Sequence, residues 1–152
     1  MHRHGYKGRK FGRETDQRRA LMRGLMRALV VSREIETTEA KAKELRRPME
    51  KLITLARKGG LANRRLVIAR MNDIEVANML IEEIAPKLKR DSGYLRIERT
   101  RLRVGDNAQM ARISFVDDVK VVEAEIVKKA NSSEKPGEKK AAKKPVEKKE
   151  TK

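Results

Sequence analysis

The sequence predicts an α+β domain: one helix, a short strand, three further helices and a closing pair of strands. Three observations predict it. Apolar residues recur at three- and four-residue spacing in four segments between residues 15 and 86. Two later segments alternate like strands and are joined by Gly105-Asp106-Asn107-Ala108. Glycine and proline fall mostly between these segments, at Gly59-Gly60, Pro86 and Gly93.

The first helix is expected from Thr15 to about Val31, with Thr15 as its N-cap and Asp16 in the favourable first turn. Leu21, Met22, Leu25, Met26, Leu29 and Val30 form one apolar stripe. Arg33 to Thr37 reads as a short strand. Thr38 then caps a second helix whose buried face is Ala42, Leu45, Met49, Leu52, Ile53 and Ala56. Pro48 lies inside it and predicts a kink near Leu45. Gly59-Gly60 ends it. A short third helix is expected over Ala62–Met71. A fourth follows, capped by Asn72 or Asp73, with Ile74, Ala77, Leu80, Ile81 and Ile84 inward and Glu75, Glu82 and Glu83 outward. Its acidic face is expected to point away from any polyanion.

Tyr94–Val104 and Met110–Val116 are the closing strands. On the first, Leu95 and Ile97 share a face with arginines, and the apolar set then switches to Leu102 and Val104. That switch predicts a bulge or twist. Val119–Val127 is compatible with a strand or a helical turn. From Lys128 onward the chain is Lys, Glu, Ala, Pro and Ser, the composition of a disordered tail. The expected organisation is therefore a basic arm over 1–13, a domain over 14–118 and a Lys-rich extension over 119–152.

Charge narrows the function. The 152 residues carry 39 Lys and Arg against 22 Asp and Glu, a net charge of +17. A chain so charged is expected to meet a polyanion whose phosphates neutralise the excess. The first 33 residues hold ten of the cations against two acids. All 20 arginines lie between Arg3 and Arg112, and the tail uses lysine only. Arginine makes forked contacts to phosphate, whereas lysine acts as a hydrated point charge. Fixed contacts are thus expected from the first 112 residues and diffuse ones from the tail.

Other function classes lose support. With no cysteine there is no disulfide, thiolate metal site or cysteine nucleophile. His2 and His4 lack neighbouring carboxylates, and no metal or cofactor is expected. Gly59-Gly60 is not followed by Lys-Ser or Lys-Thr, so no phosphate-binding loop of the nucleotide type is present. Glu82-Glu83 and Asp117-Asp118 have no histidine or apolar pocket to shift their pKa, so no catalytic residues and no small-molecule substrate are expected. No apolar run reaches the roughly 20 residues of a membrane span, and no signal peptide is recognisable. A cytoplasmic protein with no membrane partner is expected.

The candidate sites are basic surfaces for nucleic acid. Residues 1–13 read as a disordered basic leader or as an arm that orders on RNA, in which Arg3, Lys7, Arg9, Lys10 and Arg13 offer charge and Tyr6 and Phe11 can stack on unpaired bases. Arg19, Arg23 and Arg27, four apart, form one ridge on the first helix. Lys41, Lys43, Arg46 and Arg47 lie outside the buried face of the second helix. Arg96, Arg99, Arg101 and Arg103 line the closing hairpin, as an RNA contact or as an edge that resists aggregation.

Several segments resemble the bacterial large-subunit ribosomal protein L17 family. They are Glu34-Ile35-Glu36-Thr37-Thr38 running into Lys41-Ala42-Lys43-Glu44-Leu45-Arg46, then Leu52-Ile53-Thr54-Leu55-Ala56. Gly93-Tyr94 with Arg96-Ile97, and Arg103-Val104-Gly105-Asp106-Asn107-Ala108 with Met110-Ala111, extend the likeness over about residues 9–118. The resemblance implies helices packed on a small three-stranded mixed sheet. It also implies binding to large-subunit (23S) ribosomal RNA near the rim of the polypeptide exit, beside neighbouring large-subunit ribosomal proteins. Where the family has His-Arg at the start of the first helix, this chain has Gln17-Arg18. The role of that histidine does not transfer, whereas that of Arg18 does. The family start, close to Met-Arg-His, is here displaced to Met1-His2-Arg3-His4, and the Lys-rich extension has no counterpart in the family core.

The expected function is that of a structural constituent of the large ribosomal subunit, supporting assembly and translation without chemistry of its own. Arginine clusters would neutralise phosphates of several RNA segments, with RNA shape giving the specificity. A nucleoid-type DNA-binding protein is the alternative, and a small RNA-acting enzyme ranks behind it for want of a nucleophile, base or metal set.

Overall fold

The first helix, α1, spans Thr15–Ser32 in the computed structural model, which describes residues 8–117 and Val119. The acceptor of its first backbone bond is the Glu14 carbonyl, which takes the Arg18 N–H at 2.9 Å. Glu14 therefore occupies the N-cap position expected for Thr15, and Thr15 is already inside the helix. Only Met26, Leu29 and Val30 of the apolar stripe are fully buried, with Met22 and Leu25 half-buried against the core. The N-terminal half of α1 thus overhangs the body.

At its other end α1 stops on Arg33, whose φ of 66° is left-handed. Sequence reasoning placed this residue in the strand. Its guanidinium folds back into the protein, donating to the Val30 carbonyl and, at 2.8 Å, to Glu83. The strand β1 then runs from Glu34 to Thr38.

Helix α2, Glu39–Lys58, is the centre of the fold. Ala42, Leu45, Met49, Leu52, Ile53 and Ala56 are all buried, which is the face the spacing predicts. The helix is continuous through Pro48, although proline cannot donate to the Glu44 carbonyl. Thr38 is at its N-cap, but the hydroxyl makes no cap bond. Gly59, at φ 65°, ends it and donates to the Ala56 carbonyl.

Helix α3 covers Leu61–Met71 and buries Val67 and Met71. Helix α4 begins at Ile74–Asn78, capped by Asp73, whose carboxylate accepts the Val76 N–H at 3.2 Å. It widens into a π-helical turn over Met79–Ile84, where Ala85 N–H bonds back to Leu80, and closes in a 3-10 turn at Ala85–Lys87. Leu80 and Ile84 are buried, as expected. Ile74 is a correction: placed inward by its spacing, it is 63% exposed because it opens the helix beyond the packed region.

Strands β2, Leu95–Leu102, and β3, Gln109–Phe115, form the closing hairpin. The sheet order is β1-β3-β2, antiparallel throughout. The expected mixed sheet is corrected on this point. β1 and β2 run the same way, but β3 lies between them. It takes the centre because Ala111, Ile113 and Phe115 give it a fully buried face, whereas β2 beyond Ile97 is exposed and suits an edge. Ile35, Ile113 and Ile97 line up across the three strands on the core face. Glu36, Arg112 and Glu98 form the next row, of alternating charge. The expected bulge is present: register slips between Arg99 and Leu102.

Candidate nucleic-acid interface

The overhanging half of α1 does not pack flat on its neighbours. It faces the middle of α2 and the C-terminal half of α3 across an open groove of about 620 Å³. Gly8, Arg9 and Phe11 of the arm also line it. Gly8 adopts φ +105° and approaches Glu44 so closely that an added Cβ would sit 3.2 Å from its carboxylate oxygen. Arg9 pairs with the same carboxylate at 3.9 Å, which ties the arm to α2.

Cations dominate the groove. Arg9, Arg18, Arg19, Arg23, Arg47, Lys51 and Arg70 line it, and Glu44 is the one acidic side chain among them. The side chains of Arg19, Arg23, Arg47, Lys51 and Arg70 make no hydrogen bond or ion pair with any described residue. Below them lie Met22, Met26 and Leu52. A second, smaller depression shares Arg47, Lys51 and Arg70 and is lined further by Glu50, Thr54 and Leu55 of α2. Like charges held together without counter-charges are an anion site in waiting, since phosphates relieve the mutual repulsion.

The other arginines are differently placed. On the hairpin, Arg96 pairs with Glu98 at 3.7 Å, Arg99 with Glu39 at 2.9 Å, Arg101 with Glu36 at 3.7 Å and Arg103 with Asp106 at 2.5 Å. The Arg103 guanidinium and the Ala108 N–H hold the Asp106 carboxyl down at about 2. Lys43 and Arg99 together lower that of Glu39. These are exposed ion pairs, of small individual worth and open to exchange with phosphate. On α2, Lys43 pairs with Glu39 at 2.7 Å and Arg46 with Glu50 at 3.0 Å, both one helical turn away. Lys41 stands half-buried in the first turns of that helix.

A third group holds the fold together. Arg27, the last member of the expected ridge, turns to the end of α3. It donates to the carbonyls of Met71, at 3.0 Å, and Asn72, and pairs with Asp73 at 3.6 Å. Arg64 joins α3 to α4 through Asn78 and Glu82. Arg57 lies over the Tyr94 ring, donates to its hydroxyl at 3.1 Å, and reaches the Arg90 carbonyl. The Arg33–Glu83 and Arg64–Glu82 pairs show that two acidic residues of α4 neutralise arginines of the body.

The structure therefore brings together Arg9, Phe11, Arg18, Arg19, Arg23 and Arg47 of the predicted residues. Lys10 and Arg13 sit beside them on the arm, where Arg13 donates to the Phe11 carbonyl at 3.1 Å. The hairpin arginines and Lys41, Lys43 and Arg46 fall outside this groove. Arg3, Tyr6 and Lys7 lie outside the described residues, as do the extension beyond Val119 and the open choice over Val119–Val127. Sequence reasoning placed Lys51 outside the buried face of α2 without making it a site residue, and missed Arg70. A signal for Arg70 existed: it follows Leu66 by one turn on a face of α3 that the buried pair Val67 and Met71 leaves open.

Among the described residues no group of three or more potential metal ligands is present, and no helix is long and apolar enough to cross a membrane. The family model "Ribosomal protein L17" matches residues 21–116. The chain belongs to the ribosomal protein L17 family. Its curated relatives in the family are named large ribosomal subunit protein bL17. One from Campylobacter concisus is 52% identical over 116 residues, 76% of this chain and 97% of the relative. One from Campylobacter jejuni is 53% identical over the same length, and one from Campylobacter hominis is 48% identical over 118 residues. The L17 match takes in Arg23, Arg47, Lys51 and Arg70 of the groove, whereas Arg9, Phe11, Arg18 and Arg19 precede it. L17 relatives are named as components of a ribosomal subunit, not as enzymes.

Proposed function

We propose that this chain is a structural constituent of the bacterial large ribosomal subunit that binds the subunit's RNA, near the rim of the polypeptide exit, and supports assembly and translation. Family membership supports the subunit. One structural observation supports the RNA: five cations of the groove whose side chains pair with no described residue. A protein with this surface gains by releasing counterions from phosphates, so its binding is electrostatic and salt-dependent.

The division among the arginines gives the mechanism. Arg27, Arg33, Arg57 and Arg64 join the helices to one another and to Tyr94 at the start of the hairpin. Held on that frame, Arg19, Arg23 and Arg47 present guanidinium forks to phosphates at fixed spacing. The hairpin arginines, with carboxylates already beside them, offer a second and exchangeable set of contacts. Neighbouring large-subunit proteins meet the remaining surface.

Sedimentation of a lysate through a low-magnesium gradient, probed for a tagged chain, tests this. Co-migration with large subunits is expected. A chain found in ribosome-free fractions bound to DNA would replace the reading with that of a nucleoid-type protein.

A further inference from the structure

The groove holds more than charge. Duplex RNA offers a protein its phosphates and sugar edges, and a row of cations is enough to meet them. Here the cations ring an apolar bed. Met26 and Leu52 are buried at its base, Met22 is half-buried above them, and Leu66 stands 47% exposed on the α3 wall. Leu66 is among the few large apolar side chains that the domain leaves this open. A phosphate seated on the rim would leave that bed wet. An apolar, flat group attached to a phosphate would cover it.

The groove's size agrees. At about 620 Å³ it lies within the range of sites that enclose a small organic ligand, ~300–1,000 Å³. Two methionines in the bed suit a flat aromatic ligand, because thioethers are polarisable and pack well against ring edges and faces. Arg19 and Arg23 at the rim can stack on a base as well as bind its phosphate. Phe11, half-buried, lines the groove with Gly8 and Arg9.

We propose that the α1–α2–α3 groove is a site for an unpaired nucleotide of RNA, with the base seated against Met22 and Leu66 and the flanking phosphates on Arg19, Arg23, Arg47 and Arg70. This rests on the RNA-binding reading and deepens it, since recognition here falls on a single-stranded loop or bulge rather than on helical RNA.

The full-length chain can be titrated against a ten-nucleotide single-stranded RNA carrying 2-aminopurine, and against the same sequence as a blunt duplex. The single strand should bind about tenfold more tightly or better, a gain typical of one base stacked on a side chain. Seating the base should change the 2-aminopurine emission. Leu66→Asn keeps the charge and alters only an exposed position, so the fold survives it. It should cost about tenfold in single-strand affinity, and Leu66→Phe should retain that affinity. Equal binding of both RNAs, with Leu66→Asn indistinguishable from the parent, overturns the proposal and leaves RNA binding standing. Binding of neither RNA overturns both. Tighter binding of an acidic peptide of the same length than of the single strand also overturns the proposal, in favour of a protein occupant.

Discussion

Replacing Arg19 and Arg23 together by glutamine removes two of the five groove cations that have no partner among the described residues. Glutamine keeps the helix propensity and most of the side-chain length, so α1 stays formed. Each phosphate neutralised on a single strand contributes about −0.7 to the slope of log K against log salt, so five contacts give about −3.5. Between 50 and 200 mM salt the parent then loses affinity roughly 130-fold. The double variant keeps a slope of about −2.1 and loses only roughly 18-fold over the same interval. Fluorescence anisotropy of a labelled RNA, repeated at several salt concentrations, reads both slopes, and circular dichroism checks the fold. Arg99→Gln with Arg101→Gln is the comparison. Those guanidinium groups exchange a carboxylate for a phosphate, so their loss should flatten the slope less. An unchanged slope for Arg19→Gln/Arg23→Gln, or a larger change for the hairpin pair, would refute the division of the arginines into free and paired sets.

Arg33→Ala removes the buried contacts to Val30 and Glu83 and should lower the melting temperature by roughly 5–10 °C, about 1–2 kcal/mol. Arg33→Gly should be less damaging by about 0.5–1 kcal/mol, because glycine accepts the left-handed φ; thermal melts of both variants compare them. Leu45→Ala opens a cavity in the centre of α2 and should cost about 2–5 kcal/mol in chemical denaturation. The Asp106 carboxyl, at about 2 in the folded chain against an ordinary 3.8, contributes stability to the hairpin turn that is complete above 3.8 and fades as pH falls towards 2. An NMR titration should show that low midpoint, and Arg103→Gln should raise it. Gly8→Ala crowds Glu44 and strains a positive φ, so hydrogen exchange over residues 8–13 should quicken with α2 unaffected.

Much of the fold is legible in the sequence because local patterns and tertiary packing agree. The face of α2, six residues at three- and four-residue spacing, is buried as its period demands. The switch from Ile97 to Leu102 marked the bulge, and Gly59 marked the helix end. What was not legible depends on partners far away in the chain. Arg99 meets Glu39 and Arg33 meets Glu83, contacts between residues that no local spacing relates. For that reason the charge pattern made Arg99 and Arg101 look equal to the arginines of α1. Arg27 looked like part of a ridge until the end of α3 came to lie beside it. Ile74 carries the right spacing for burial, but it stands at a helix start with nothing packed over it. The position of β3 between β1 and β2 is likewise a tertiary outcome, decided by which strand has a face worth burying.

Ultraviolet crosslinking of large subunits that contain this chain, followed by mass spectrometry of the peptide–nucleotide products, reads the interface directly. Nucleotides should be attached to peptides from the first half of α1, the middle of α2 and the end of α3. Crosslinks confined to α4 or to the outer row of the sheet around Glu36, Arg112 and Glu98 would contradict an interface built on the unpaired cations of the groove.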